Sequence, residues 1–141
     1  MRDALHAGLV AAAVSGLPST AVALVRGDDV LDGARAAGAM LLPRETRTPP
    51  LLAAAVPVHL TLSLGWAVVL ERALPRGREP LGGLLAGLAI GALDLGVIGR
   101  RLPPIRALPQ PRQWADHFAY GLAVGAVLAH RRIHSRPRCP S

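Results

Sequence analysis

The residues of this sequence that could do chemistry stand inside apolar runs, and Asp94 is the most isolated of them. It lies in GLAIGALDLGVIG, Gly87 to Gly99, where no arginine, lysine or histidine is present to neutralise it. His59, Ser63 and Trp66 fall at i, i+4 and i+7, one stripe of a helix; His117, Tyr120 and Gly121 make a second stripe beside Asp116. Ser19 and Thr20 follow Pro18 in GLPST, where a proline frees a backbone carbonyl that neighbouring hydroxyls can bind. Carboxylate, imidazole, phenol and hydroxyl groups in such surroundings can hold protons, form buried hydrogen bonds or grip a polar ligand.

An ionised aspartate near the middle of a membrane helix costs about 2.5 to 3.5 kcal/mol on insertion scales. Asp94 is therefore expected to face other helices and either bind a proton or meet a donor. His59, His117 and Tyr120 are the candidate donors, with Arg100 and Arg101 able to reach in from the rim. The plainer expectation is that these groups simply join one helix to another.

Other chemistries find little support. Haem ligation by two histidines needs rings at matching depth, and helical rise puts His59 about 7 Å deeper than His117. Neither histidine belongs to an HxxxH, HExxH or CxxC spacing, so no metal site and no cofactor are assigned. Phosphate loop, nucleophile elbow and dinucleotide fingerprint are all missing from the sequence, and no catalytic residue is named. An enzyme acting on lipid, with His117 or Asp94 as base, would lack a motif. Cys139 is the single cysteine and can form no internal disulfide.

The elements that must position these groups are four apolar segments in a chain of 141 residues, 51% hydrophobic, 18% charged and only 3% aromatic. They run over Ala4–Val25, Leu51–Leu70, Leu81–Gly99 and Trp114–Ala129, and a bilayer takes roughly 20 helical residues, so only the fourth is short. The expected fold is an all-α bundle of four transmembrane helices in one domain, residues 1–133, with a short basic disordered tail over 134–141. Arg2 and Ala21-Val22-Ala23 give the first segment some likeness to a signal peptide; Asp3 offsets Arg2 and three further spans follow, so an intact helix is expected.

Between the first two spans, Asp28 and Asp29 can open a helix, and Val30, Leu31, Ala34, Ala37, Met40 and Leu41 recur at helical spacing. This predicts a short interfacial helix ended by Pro43. ERALPRGREP reads as a turn, and RRLPPIRALPQPRQ, with four prolines, as an extended or hooked surface loop.

Helices in lipid associate through close backbone approach. Gly83, Gly87 and Gly91 on the third span, Gly121 and Gly125 on the fourth, and Gly8, Ala12 and Gly16 on the first offer small faces for this, within one chain or between copies. Measured at 1.5 Å per residue, Asp94 lies about 8 Å from the end of its span, His59 about 12 Å in, Asp116 and His117 within about 5 Å, and Ser19 and Thr20 within about 10 Å. All four spans thus put polar groups into the half of the membrane away from the termini, and a pocket opening toward the loops 26–50 and 100–113 is expected.

All 16 basic residues are arginine and the formal net charge is +7. They flank apolar segments without a basic helical stripe or interleaved aromatics, which points to membrane flanks and away from nucleic acid. The positive-inside count ties at eight a side. Termini in the cytoplasm are favoured by the basic tail and by the acids Asp28, Asp29, Asp32 and Glu45 opposite.

HLTLSLGWAVVL, GLLAGLAIGALDLGVIG and ADHFAYGLAVGAVLAH together resemble small uncharacterised four-helix integral membrane proteins of high-GC, actinobacterial-type bacteria. The shared pattern is His59-xxx-Ser63, an acidic residue late in a glycine-rich helix (Asp94), and His117-xx-Tyr120-Gly121. The resemblance implies a four-helix bundle in a cell membrane and no particular activity. Two functions are carried forward: an accessory or scaffold component whose glycine faces bind a second copy or a larger complex, and proton or small-solute transport or ligand binding through the polar pocket.

Overall fold

A computed structural model describes residues 1–134, and they are helical almost throughout. Three stretches are long and apolar enough to cross a membrane, Arg2–Arg26, Thr48–Ala73 and Glu79–Arg101. Only the second is one uninterrupted α-helix.

The first stretch is broken. Helix α1, Arg2–Val14, gives way at Ser15 and Gly16 to α2, Leu17–Arg26. Pro18 lacks the N–H that would continue the ladder, but it sits in the first turn of α2, where that N–H needs no partner. Helix α2 ends at Gly27, whose φ of +69° only glycine adopts readily, and the Asp28 N–H reaches back 2.9 Å to the Ala23 carbonyl.

The connection that follows holds α3, Asp32–Gly38. It is shorter than the helix predicted to run to Pro43, because Gly38 is where the chain meets the backbone of Leu51 and a Cβ there would strike its carbonyl. Asp29 accepts from the Leu31 N–H at 2.8 Å, and Arg35 bridges Asp29 and Asp32 at 2.6 Å to each. That arginine holds the Asp29 carboxyl below the usual carboxylate range.

Helix α4, Thr48–Ala73, starts on Pro49 and Pro50 and continues through Pro57. Helix α5, Glu79–Leu93, widens into a π-helical turn over Asp94–Ile98 and closes in a 3-10 turn, Gly99–Arg101. The proline-rich stretch after it, expected as an extended or hooked loop, is not extended. Pro103 and Pro104 open a one-turn helix, α6 (Pro103–Arg106), and Pro111 lies in the first turn of α7, Gln110–His134. Proline is as good at starting helices as at ending them. The fourth long helix therefore has 25 residues and is not short, but Arg112, Asp116, Arg131 and Arg132 make it more polar than the three apolar stretches. His134, expected in the tail, ends this helix; the rest of that tail lies outside the described residues.

Helix α1 packs between α4 and α7, and α7 between α1 and α5; α3 lies against the start of α4, and α2 against α7. Helices α4 and α5 share no extended contact. The centre is apolar, built from Ala7, Ala11, Ala67, Leu70, Val124 and Leu128. On α1 the buried face is Ala4, Ala7, Gly8, Ala11 and Ser15, not the Gly8, Ala12, Gly16 row; a Cβ on Gly16 would meet nothing within 4 Å.

At the end bearing the N-terminus, a polar layer ties the helices together. Glu71 accepts from the Met1 amine at 3.0 Å and from the Ala4 N–H at 3.2 Å. Glu79, 3% exposed, pairs with Arg132 at 3.0 Å, and the same guanidinium donates to the carbonyls of Glu71 and Leu74 at the C-terminus of α4. Arg131 pairs with Asp3.

Candidate functional site

The glycines that set the helix spacing come first, because they fix the heights of the polar groups. Helices α5 and α7 run antiparallel with glycine against glycine. A Cβ on Gly83 would strike the Gly121 carbonyl, one on Gly87 the His117 carbonyl, and one on Gly125 the Glu79 carbonyl, while Gly91 receives the Trp114 ring. Gly83, Gly87, Gly121 and Gly125 meet across this seam, and Gly91 packs on Trp114 and His117. The glycine rows of α5 and α7 are thus occupied within the chain, whereas Gly16 of the α1 row takes no part in this seam.

This register sets the His117 ring against Asp94, where α5 turns π-helical. The Gly99 N–H bonds to the Asp94 carbonyl, five residues back. Such one-turn widenings shift the side chains that follow them and recur at functional sites. His117 Nδ1 donates to the Gln113 carbonyl at 2.8 Å, and its Nε2 lies 3.4 Å from Asp94 Oδ2. A carbonyl only accepts, so Nδ1 carries a proton. The contact between Nε2 and the carboxylate then needs one more, held either as imidazolium with aspartate or as neutral imidazole with aspartic acid. The pair is a one-proton unit, with the Asp94 side chain 23% exposed.

The other candidate donors go elsewhere. His59 Nε2 donates to the Ala12 carbonyl at 2.9 Å, joining α4 to α1. The Tyr120 hydroxyl donates to the Ser63 carbonyl at 2.5 Å, joining α7 to α4. Neither meets Asp94, and neither do Arg100 and Arg101, which are exposed; Arg100 lines a separate recess.

Asp116 has a role tied to the break in the first span. Its carboxylate accepts from the Ser19 N–H at 2.9 Å, and Ser19 Oγ donates to the Gly16 carbonyl at 3.1 Å. Ser19 is the third residue of α2, so Asp116 caps from a different helix the N–H left free where α2 begins.

Ser19, Thr20, His59, Ser63, Asp94, Asp116, His117 and Tyr120 all line one cavity of about 640 Å3. Most of its wall is apolar, with Leu52, Val56, Leu62, Trp66, Ile90 and Leu95 among the contributors. Helix α3 and the α6 region line it as well, through residues such as Gly33 and Ile105. On the other side of Ser63 and Tyr120 lies the apolar centre of the bundle.

Two lining groups had gone unrecognised in the sequence. Arg112, its side chain 11% exposed, pairs with Asp28, and Gln113 supplies the carbonyl that fixes His117. The signal for Arg112 was its i, i+4 relation to Asp116, hidden by the assumption that Pro111 excludes a helix. At the opposite end of α7, His130 and His134 form an overlooked HxxxH pair with ring centroids 4.2 Å apart, exposed and remote from the cavity. Among the described residues no three His, Cys, Asp or Glu side chains are grouped to hold a metal.

The arrangement offers a proton-sharing carboxylate and imidazole and a second carboxylate on a largely apolar wall; among the described residues it holds no nucleophile against a base. Compared with protein-family models, with curated proteins and with solved structures, the chain matches none of them.

Proposed function

We propose that the chain is a four-span membrane protein that binds a small ligand in a cavity confined to the half of the bilayer away from its termini. Support for the fourth span comes from register. Helix α7 runs alongside α5 from Trp114 at Gly91 to Gly125 at Glu79, so if α5 crosses the bilayer, α7 crosses with it. Its polar residues are then accommodated, because Asp116 and His117 face the cavity and Arg131 and Arg132 lie in the ionic layer at the end.

The observation that carries the binding reading is that one cavity collects polar side chains from every long helix and then stops on an apolar centre. Between Ser63 and Tyr120 on one side and Glu71 and Glu79 on the other, the facing residues are Ala67, Leu70, Val124 and Leu128. A solute reaching Asp94 comes from one side and meets no polar path onward, which favours binding over transport. With the termini in the cytoplasm, as the basic tail and the opposing acids favour, that side is the exterior.

The test is thiol accessibility in lipid, in a Cys139→Ser background. Cysteines at Thr20, His59 and Asp94 should all label with a membrane-impermeant reagent added from one face only, while one at Ala67, fully buried in the centre, should stay dark. Protection of all three cavity positions in folded protein would overturn the reading.

A further inference from the structure

A second recess, of about 500 Å3, lies where the third span ends and α7 begins, lined by Leu95, Gly96, Arg100, Arg106, Gln110 and Trp114. Its charge differs in kind from that of the cavity. Two arginines line it from the two ends of a tight connection, Arg100 from the 3-10 turn and Arg106 from the end of α6. Among the described residues no carboxylate lines it. Among the described residues the arginines in ion pairs are Arg35, Arg47, Arg112, Arg131 and Arg132, so Arg100 and Arg106 have no acidic partner.

We infer that this recess binds the phosphate headgroup of an anionic phospholipid. Guanidinium forks match phosphate oxygens, and two of them around one recess can hold a phosphodiester from both sides. Height selects a lipid over a free anion: Arg100 stands at the end of the apolar stretch Glu79–Arg101, where headgroups lie, and Trp114 beside it is a residue type that favours this level. The floor supplied by Leu95 and Gly96 is apolar, and a Cβ on Gly96 would meet nothing within 4 Å, so there is room beside the arginines for the glycerol end of an acyl chain. With no carboxylate to receive an ammonium, the recess discriminates against zwitterionic lipids.

The experiment is native mass spectrometry on the full chain in detergent, titrated with phosphatidylglycerol, phosphatidylcholine or inorganic phosphate. Loss of two arginines near a membrane surface should weaken lipid binding about 30-fold, so the Arg100→Gln/Arg106→Gln variant should lose phosphatidylglycerol by that factor. Arg76→Gln/Arg78→Gln, in the turn at the far end of α5, should bind as wild type. Gly96→Leu should lose the lipid with both arginines in place, and it decides the matter if the double variant fails to fold. The inference is overturned by wild-type affinity in the double variant, by equal loss in the Arg76/Arg78 variant, by phosphatidylcholine competing on equal terms, or by inorganic phosphate displacing the lipid at matched concentration.

Discussion

Asp116 shows how a charged residue inside an apolar helix can serve structure and site together. Because Pro18 and Gly16 interrupt the first span, the Ser19 N–H needs an acceptor, and the Asp116 carboxylate supplies it from another helix. Asp116→Ala should cost about 1 to 2 kcal/mol, as for lost helix caps, and Asp116→Asn, which keeps an acceptor oxygen, clearly less; unfolding in detergent measures both. Glu45 gives a prediction outside the spans. Bonded to the Arg47 guanidinium and to the N–H groups of Arg47 and Thr46, its carboxyl falls from 4.5 to about 2. A lowered carboxylate stabilises the fold above its unfolded value and loses that contribution as pH drops, here between about 4.5 and 2. Carbon-13 titration should find the midpoint near the lower figure, and Arg47→Gln should move it back toward the ordinary one.

Between helices, the decisive contact is the glycine seam of α5 and α7. Gly121 faces the Gly83 carbonyl and the Gly87 backbone, whereas Gly65, on the exposed side of α4, has nothing within 4 Å of an added Cβ. Gly121→Ala should therefore cost about 1 to 3 kcal/mol by overpacking, while Gly65→Ala should be neutral or stabilise by up to about 1 kcal/mol. Reversible unfolding of the two variants side by side separates a seam glycine from a merely helical one. Equal effects would mean that α5 and α7 do not approach as described. The seam also aligns His117 with Asp94, so Gly121→Ala should weaken any ligand held by that pair.

For the whole molecule, the two ends of the bundle do different work. The end bearing the N-terminus is closed by Glu71, Glu79, Arg131, Arg132 and Asp3, with Arg132 capping α4 while neutralising a buried Glu79. Removing one member of a buried pair strands the other. Arg132→Met should therefore lower the melting temperature more than Arg132→Met/Glu79→Gln, and a double variant as unstable as the single would disprove the coupling. The opposite end is left open between α4 and α5, which do not pack on each other, and that gap holds the cavity.

Helical character, the apolar stretches and the glycine rows on α5 and α7 were legible in the sequence, because each depends on local spacing along a single helix. Prolines misled it: Pro103, Pro104 and Pro111 sit where helices begin, and whether a proline starts or ends a helix depends on the neighbours that take its turn. Tertiary structure alone chose the partners. Rise per residue sets depth, but the rotation of one helix against another decides that His117 meets Asp94 while His59 and Tyr120 bond to carbonyls, and that rotation is set by the close backbone approach of helices distant in the chain.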